Sequence, residues 1–339
     1  MFVLNIFFNV FFNNIMVSII IPYKNPLPYF EDCLKSIVNQ SYKKLQIILV
    51  NDHSTDDSEK LAIQFLKADS RIELVNNKGK GIIDALNTGS EIAVGKYITR
   101  MDADDIMSEN KIKILRSLLE KKKKKNIAVG GVKYFASKKP MGNGYLKYAN
   151  WLNELTSNEK NFKDLYKECT IPSSCWMMYR SDFENIKGFK KLNYPEDYDF
   201  LFRVYYNKIK LTTTKKIIHL WRDHPKRTSR NSKDYQFENF IPLKIEYLLN
   251  NELKTKEELV LWGSGKKGKL VAKKLIEENC SFTWISNNQK KIGLEIYQQK
   301  IQSTDLLKLK NKKLIICSIS SKGFKTPQNS KYNKFLSFY

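Results

Sequence analysis

Cysteine is scarce in this chain, and none of it is spaced as a metal or redox pair. The 339 residues include five cysteines, an odd number, and no two of them form a C-x-x-C pair. They are Cys33, Cys169, Cys175, Cys280 and Cys317. This pattern argues against a zinc site and a disulfide framework, and it favours a reducing compartment.

The chain also lacks a convincing leader or membrane-spanning run. Residues 1–15 are rich in Phe and Ile, interrupted by asparagines, and they have neither a basic n-region nor a small-residue cleavage site. A run of about 15 residues is too short to span a bilayer. We therefore expect residues 1–15 to be an N-terminal extension: either Met16 is the natural start, or the extension is a weak interfacial anchor.

Acidic residues are outnumbered, with 35 Asp and Glu against 59 Lys and Arg, a net charge of +24. Such an excess favours anionic partners, namely nucleic acid, a phospholipid surface or a phosphorylated substrate. Lysine runs such as 121–125 are typical of solvated faces when taken alone. An arginine-rich arm and an RNA-binding motif are missing, so we do not expect nucleic acid as a partner. We expect a cytoplasmic protein, peripheral at the anionic inner face of a membrane.

The acidic residues that are present cluster in one short segment. Asp102, Asp104 and Asp105 directly follow an apolar run that ends at Arg100. Like charges this close repel, so we expect a cation among them, and Mg²⁺ or Mn²⁺ is the simplest candidate for hard oxygen ligands. A metal with few protein ligands keeps positions open for phosphates. The cluster therefore predicts a nucleotide-diphosphate substrate.

Strands and helices alternate through the first hundred residues. Apolar runs predict strands at 17–21, 45–50, 72–75 and 96–100, and helical spacing predicts helices at 29–39, 58–68 and 81–94. This alternation is typical of a doubly wound α/β sheet, in which ligands bind at the carboxyl ends of the strands. Asp52 follows the second of these strands and Asp102 the fourth, so both are candidate site residues.

The pattern of residues after position 110 predicts further strands and helices of the same sheet, followed by a second structural unit. A helix is predicted at 111–124, strands at 127–135 and 211–222, a loop entering a helix at 194–203, and a helical linker at 233–256. Residues 257–339 predict a small Rossmann-like βαβ domain around Gly263, Gly265 and Gly268. The acidic residue of a dinucleotide fingerprint is missing, because Ser286-Asn287-Asn288 stands in its place. We therefore expect a structural or regulatory module rather than an NAD site.

Five segments, taken in order, carry a resemblance to a known family. They are Val17 to Pro22, Leu49 to Asp56, Ala85 to Gly89, the Asp102 cluster, and Glu196 to Asp199. In this order they resemble segments of family 2 glycosyltransferases. The resemblance covers roughly residues 16–230 and implies, for a domain at 16–232, the GT-A type of doubly wound mixed sheet.

The resemblance implies a role for each residue on the donor side. Asp102-Ala103-Asp104 looks like the D-x-D motif, with Asp104 as the metal ligand and Asp102 facing the ribose or the metal through water. The segment from residue 219 onward resembles one that closes over a diphosphate. There Arg222 and Arg227 would bind phosphate oxygens, and His224 would coordinate the metal or donate to a phosphate. For the Asp102 segment the alternative is a solvated acidic turn, and for the segment from residue 219 onward it is a basic surface loop. Asp105 is predicted to cap the following helix.

Further donor-side roles follow from the first two strand ends. Asp52 matches the aspartate that accepts a base N–H in similar enzymes, with a turn or N-cap residue as the alternative. Pro22 and Asn25 lie beside the same predicted base site, and Lys80 would hold phosphate or base unless it is an exposed loop lysine. His53 stands where the family pattern usually has glycine.

On the acceptor side, Glu196 and Asp197 resemble the acidic pair that precedes the acceptor helix. In inverting members the second residue is the general base, so Asp197 would take the proton of the acceptor hydroxyl. Glu196 would orient either Asp197 or the acceptor. The alternative is a helix-start acidic cluster stabilised by the macrodipole.

Taken together, the resemblance implies an inverting, metal-assisted glycosyltransferase. It would move a sugar from a nucleotide-sugar donor, UDP-linked by preference, to a hydroxyl of a surface glycan or a lipid-linked glycan, using Mn²⁺ or Mg²⁺. One rival is a nucleotidyltransferase, which needs a glycine- and lysine-rich triphosphate loop that Tyr23-Lys24-Asn25-Pro26 does not provide. The other is a non-catalytic binder of polyanions.

Overall fold

The computed structural model describes residues 15–136, 142–190, 195–231, 236–321 and 323–339. The predicted N-terminal extension lies outside the described residues, except for Ile15 at its end. Within the described residues the chain divides into two compact units. The first runs to Lys163 and resumes from Thr170 to Asn231, and the second comprises Asp164–Cys169 and the described residues from 236 to Tyr339.

The first unit contains one eight-stranded mixed sheet with the order β3-β2-β1-β4-β7-β6-β8-β5. Its strands are β1 Val17–Tyr23, β2 Leu45–Asn51, β3 Ile72–Asn76, β4 Tyr97–Arg100, β5 Ile106–Met107, β6 Asn126–Ala136, β7 Trp176–Tyr179 and β8 Lys210–Asp223. The first four are parallel, β7 is antiparallel to both of its neighbours, and β6 runs parallel to β8. The predicted α/β fold with a mixed sheet is confirmed.

Helices connect these strands. They are α1 Phe30–Val38, α2 Ser58–Ala68, α3 Ile82–Glu91, α4 Lys111–Glu120, α5 Asn143–Ser157, α6 Arg180–Asn185, α7 Glu196–Tyr206 and the single turn α8 Thr228–Asn231. Helices α3 and α4 end three or more residues earlier than predicted. Helix α3 stops before Gly95, where a Cβ would lie only 2.7 Å from the backbone nitrogen of Ser18, so the chain must turn closely past β1 here. Helix α4 stops before the run of five lysines, whose charges repel at helical spacing.

Burial explains why the strands read as continuous apolar runs. Every residue of β1 and β2 is buried, as expected for parallel strands that are covered on both faces. Helix α1 buries Phe30, Cys33, Leu34 and Ile37, the apolar stripe expected from its spacing. The core therefore holds the carboxyl ends of β1, β2 and β4 in fixed register.

The second unit has its own sheet of six strands, in the order β11-β12-β10-β9-β13-β14. The strands are β9 Glu258–Trp262, β10 Thr283–Ser286, β11 Glu295–Ile296, β12 Gln299–Ser303, β13 Lys313–Cys317 and β14 Asn333–Ser337, and the helices are α9 Phe237–Tyr247 and α10 Lys266–Glu277. All pairings are parallel except that of β11 with β12. The segment predicted as a helical linker contains α9 and a π-helix at Leu248–Glu252, both in this unit.

Glycine spacing in the second unit serves close packing between strand and helix. A Cβ on Gly268, in the first turn of α10, would lie 2.0 Å from the carbonyl oxygen of Gly263, which follows β9. Only glycine allows this approach. Across the described part of the chain, no helix combines the length and the apolar character needed to cross a membrane.

Candidate active site

The candidate site lies at one edge of the first sheet. Strands β1, β2 and β4 are parallel neighbours, so their carboxyl ends meet at the same edge. Asp52 follows β2 and Asp102 follows β4 at this edge. Because β1 lies between the two strands, a spacing of about 4.8 Å per strand places the two ends roughly 10 Å apart. The topology therefore brings together two of the predicted acidic positions.

Asp52 is held by the loop that follows β3. It is 4% exposed, and its Oδ1 accepts hydrogen bonds from Asn77 Nδ2 at 2.6 Å and from the Gly81 backbone N–H at 3.0 Å. Lys24 Nζ lies 3.4 Å from Oδ2. The N-cap of α2 is Asp57, so Asp52 does not cap that helix. The carboxylate is thus rigidly oriented, with Oδ2 facing the Lys24 side.

Two loops beside Asp52 are tied together by Asn25. Its Oδ1 accepts from the backbone N–H groups of Thr55 at 2.7 Å and Asp56 at 3.2 Å, and its own backbone has a left-handed φ of 48°. Asn25 therefore joins the loop after β1 to the loop after β2. Pro22 is a buried residue of β1, and Lys80 is exposed in the loop whose Gly81 binds Asp52.

His53 also has a left-handed backbone, with φ of 56°. Glycine adopts that conformation without steric cost, so the expected glycine would fit the backbone at this position. In this chain the His53 ring compensates, because its Nε2 lies 2.8 Å from the Gly79 carbonyl oxygen. The ring thereby joins the loop after β2 to the loop after β3.

Arg100 joins the acidic cluster to the start of α7. It is 4% exposed, and its guanidinium binds Asp102 Oδ1 at 2.7 Å and Glu196 Oε1 at 2.8 Å. The second oxygen of Asp102 accepts a hydrogen bond from the Ser173 hydroxyl at 2.9 Å. Burial favours a higher pKa for Asp102, but the adjacent guanidinium outweighs it and holds that pKa well below its usual value. Asp102 is therefore a fixed anion.

Arg100 was not among the residues selected from the sequence. A usable signal existed, because an arginine at the end of a buried strand needs a buried anionic partner. The sequence could not show which anion, since Glu196 lies 96 positions away. Asn77 was missed for the same reason, as its only marker is a position shortly after β3.

Asp104 and Asp105 point to two different histidines. His224 Nε2 lies 2.9 Å from Asp104 Oδ2, and His219 Nε2 lies 2.9 Å from Asp105 Oδ2. Asp105 Oδ1 also accepts the Arg222 backbone N–H at 2.8 Å. The prediction that Asp105 caps the next helix is wrong: α4 begins at Lys111 after Asn110. Asp105 instead joins the cluster to β8. Strand β8 pairs with β5, which begins directly after Asp105.

The protein itself supplies cations to the acidic cluster. Besides Arg100, the fully buried Lys111 donates from Nζ to the Ser174 carbonyl. Burial lowers the pKa of Lys111, and the nearby Asp102 and Asp105 oppose that decrease. Mutual repulsion of the carboxylates is therefore not, by itself, an argument for a metal ion. That argument must come from the ligand chemistry of particular residues.

Asp104 and His224 have that chemistry. Among the described residues, no three His, Cys, Asp or Glu side chains are grouped to hold a metal by themselves. One carboxylate and one imidazole do meet here, and both are ligands that divalent metal ions take in proteins. The Asp104 side chain is 29% exposed, so a ligand can reach it. The pair fits an open metal site in which other ligands come from outside the protein.

The basic residues of the 222–230 segment are engaged with aromatic rings and carboxylates. Arg222 donates from Nε to the Asp104 carbonyl at 2.8 Å and pairs with Asp32 at 2.9 Å. Arg227 packs over the ring of Trp221, with its guanidinium carbon 4.6 Å from the centroid. The Arg222 guanidinium therefore lies beside Asp104, whereas Arg227 is held by Trp221, Tyr134 and the Arg222 carbonyl oxygen.

Glu196 and Asp197 form the first turn of α7. Glu196 is 3% exposed, and its Oε2 has no hydrogen-bond partner within the described residues. Asp197 is partly exposed. Burial, followed by the charge of Glu196, raises the pKa of Asp197 to about 7, while Arg100 acts to lower it. A carboxyl group with this pKa can exchange a proton near neutral pH.

Asp199, two residues further along, has a different environment. It is 1% exposed and binds Arg203 Nε at 2.8 Å within the same helix. This ion pair also places Arg203 Nη1 2.5 Å from the Ile186 carbonyl. The pair secures α7 to the end of α6 and is not part of the acidic edge.

Comparison with known proteins agrees with this geometry. Residues 18–187, half of the chain, match the sequence profile of Glycosyl transferase family 2. The chain therefore belongs to this family, as its ordered segments predicted.

Individual relatives match shorter segments. The chain is 36% identical over 108 residues to the glycosyltransferase GlyG of Streptococcus pneumoniae, a match covering 32% of this chain and 36% of GlyG. It is 40% identical over 93 residues to the uncharacterized glycosyltransferase EpsJ of Bacillus subtilis, covering 27% of each. The chain thus spans about a third or less of the length of these relatives.

Solved structures share the fold at low identity. TarS of S. aureus in complex with UDP-GlcNAc has a TM-score of 0.57 and 15% identity, with 77% of this chain and 72% of that chain covered. The mannosyltransferase PcManGT of Pyrobaculum calidifontis, in complex with GDP-Man and Mn²⁺, has a TM-score of 0.53 and 16% identity, with 77% and 69% covered. At such identities the likeness shows the fold alone, and that fold is the GT-A type.

Proposed function

We propose that this protein is a metal-assisted, inverting glycosyltransferase that uses a nucleotide-sugar donor, by preference a UDP-sugar. The observation that carries the proposal is the convergence at one sheet edge of Asp52, the Asp102 cluster and the Glu196-Asp197 pair, with Arg100 between the last two. Membership of family 2 supports it, and so do structural neighbours in complex with UDP-GlcNAc and GDP-Man.

On the donor side, each proposed role follows from the position of the residue. Asp52 Oδ2 would accept an N–H of the base, in a site flanked by Pro22 and Asn25. Asp102, held anionic by Arg100, would accept a ribose hydroxyl. Lys80 is exposed beside this site and would add positive charge near the base or the phosphates.

The diphosphate would lie against Asp104 and the 222–227 segment. Asp104 and His224 would hold a divalent metal, Mn²⁺ or Mg²⁺, which when bound stabilises the charge that develops on the departing diphosphate. Arg227 would contact phosphate oxygens through its planar guanidinium. Arg222 would do so only by exchanging Asp32, its present partner at 2.9 Å.

On the acceptor side, Asp197 would act as the general base. Its raised pKa of about 7 suits removal of a proton from a hydroxyl at neutral pH, and its partial exposure leaves it accessible. Glu196, which is 3% exposed and bound by Arg100, would orient Asp197 through the helix start that both residues share. Attack from this side, opposite the departing diphosphate, inverts the anomeric configuration.

The proposed acceptor is a surface glycan or a lipid-linked glycan. The net charge of +24 supports an accompanying role for the anionic inner face of a membrane, where a cytoplasmic enzyme would bind peripherally. Co-sedimentation with vesicles tests the proposed membrane binding. Binding that changes neither with the anionic lipid content nor with the salt concentration would contradict it.

The decisive experiment measures release of nucleoside diphosphate from a panel that includes UDP-GlcNAc and GDP-mannose, with and without Mn²⁺. We expect turnover of at least one donor with Mn²⁺ and loss of that turnover in Asp104→Ala and Asp197→Asn. The NMR spectrum of the released or transferred sugar reports its anomeric configuration. Full activity of both variants would overturn the roles proposed for Asp104 and Asp197. Absence of turnover of every donor by the wild type would favour a non-catalytic role, and release of pyrophosphate from a nucleoside triphosphate would favour a nucleotidyltransferase.

A further inference from the structure

Arg100 connects the donor side of the candidate site to the acceptor side. Its Nη2 binds Asp102 at 2.7 Å, and its Nη1 binds Glu196 at 2.8 Å, across 96 positions of sequence. Asp102 belongs to the loop after β4, whereas Glu196 begins α7. One side chain therefore spans the two segments that must cooperate in a transfer reaction.

The guanidinium suits this connection because it is planar and presents two amino groups at once. Arg100 is 4% exposed and its guanidinium carbon lies 5.9 Å above the Phe189 ring, so the group has little freedom to turn. Bonds of this kind between charged groups are short and directional. A lysine ammonium would carry the same charge but could not hold both carboxylates in this geometry.

The free ends of the two carboxylates show what the connection positions. The other oxygen of Asp102 is already held by Ser173 at 2.9 Å. The other oxygen of Glu196 is buried and has no partner among the described residues, and Asp197 is the next residue of the same helical turn. Fixing Glu196 against Asp102 therefore fixes the helix start that carries the proposed base.

We propose that Arg100 is a positioning residue that sets the spacing between the donor-binding loop and the first turn of α7. The inference rests on the proposed function and adds to it a residue that neither binds the donor nor moves a proton. Since a displacement of about 1 Å between reacting groups can cost roughly a hundredfold in rate, a small relaxation of this bridge would lower turnover.

The test compares Arg100→Lys with a matched control, Arg203→Lys. Arg203 is 5% exposed, binds the buried Asp199 through its guanidinium, and lies 5.9 Å from an aromatic ring, in this case Phe200. Both substitutions keep the charge and break a buried arginine–carboxylate pair that involves α7. Only Arg100 also contacts Asp102, in the loop after β4.

Two quantities are measured for each variant: kcat for release of diphosphate from the faster of UDP-GlcNAc and GDP-mannose, and Kd for UDP or GDP with Mn²⁺ by calorimetry. We expect Arg100→Lys to lower kcat at least about tenfold while Kd changes less than about threefold, the pattern of a group that acts on the reacting geometry. Arg203→Lys should lower the melting temperature to a similar extent and leave kcat within about threefold of wild type.

A double variant checks that the effect passes through Glu196. If Arg100 acts by placing Glu196, then Arg100→Lys combined with Glu196→Gln should be no slower than the slower single variant. Equal loss of kcat in Arg100→Lys and Arg203→Lys, or multiplicative loss in the double variant, would overturn the positioning role while leaving the glycosyltransferase proposal in place. A wild-type protein that turns over no donor in the panel would overturn both.

Discussion

Glu196→Gln should extend activity to lower pH, because Glu196 helps to set the pKa of Asp197. Burial is the largest cause of the raised pKa, and the negative charge of Glu196 is the next. The substitution removes that charge and leaves the Arg100 cation without its Glu196 charge partner. Both changes favour the ionised form of Asp197, so its pKa should fall.

The size of the shift can be bounded from simple electrostatics. Two unit charges about 4 Å apart interact by roughly 4 kcal/mol at an effective dielectric constant of about 20, and one pKa unit corresponds to about 1.36 kcal/mol. This interaction sets an upper bound of about three units, and solvent screening at the partly exposed Asp197 reduces the expected shift to about one to two units. Starting from a pKa of about 7, the midpoint in Glu196→Gln should lie at about pH 5 to 6.

The assay is the pH profile of kcat/KM for diphosphate release, which reports the base of the free enzyme. A base must be deprotonated to act, so activity falls as the pH drops through its pKa. At pH 6 the wild type should retain roughly a tenth of its maximal kcat/KM, and Glu196→Gln should retain about half or more of its own maximum. The comparison uses midpoints, since the plateau of the variant also reflects its altered contact with Arg100.

A charge-removing control is available nearby. Glu184→Gln takes away an exposed carboxylate on α6 that pairs with Arg180 outside the candidate site. Its midpoint should coincide with that of the wild type. If the Glu196→Gln midpoint stays at the wild-type value or moves to higher pH, Asp197 is not the group whose ionisation sets the acid limb of the kcat/KM profile. Its assignment as the base then fails.

Three further predictions follow from other parts of the molecule. Asp104→Ala and His224→Ala should each weaken Mn²⁺ binding in the presence of UDP at least about tenfold by calorimetry, whereas unchanged affinity would place the metal elsewhere. His53→Gly should be about 1 kcal/mol more stable than His53→Ala in urea unfolding, because only glycine relieves the left-handed backbone; equal stabilities would contradict this. Burial lowers the pKa of Lys244 to about 7, so wild-type stability should rise between about pH 7 and 10, where the unfolded state binds the extra proton. Lys244→Met should flatten that slope in denaturant titrations, and an unchanged slope would assign it to other groups.

Local patterns in the sequence were sufficient for most of the elements. Strand β2 is a continuous apolar run and α1 has an apolar stripe at helical spacing, so each could be located without its neighbours. The carboxyl-end rule for parallel sheets then placed Asp52 and Asp102 at one edge. Errors fell at helix ends, such as that of α4, where a charge run rather than periodicity decides where the helix stops.

Side-chain pairing within the site was beyond reach of these patterns. Asp105 was interpreted as a helix cap because it comes shortly before a predicted helix. Its actual partner, His219, lies 114 positions away in the sequence. The acidic cluster seemed to need a metal because the sequence does not show that the nearby Arg100 and Lys111 are buried and act on its carboxylates. Such partners are chosen by which strands become neighbours in the sheet.

The order of residues alone therefore determined the family, the α/β alternation and the acidic positions at the strand ends, because each depends on residues close together in the chain. Only the folded sheet decided that Arg100 bridges Asp102 to Glu196 and that His224 faces Asp104. These contacts join segments about a hundred residues apart. They form because β8 pairs with β5, which directly follows the acidic cluster, and because α7 begins beside Arg100. No local propensity encodes that adjacency.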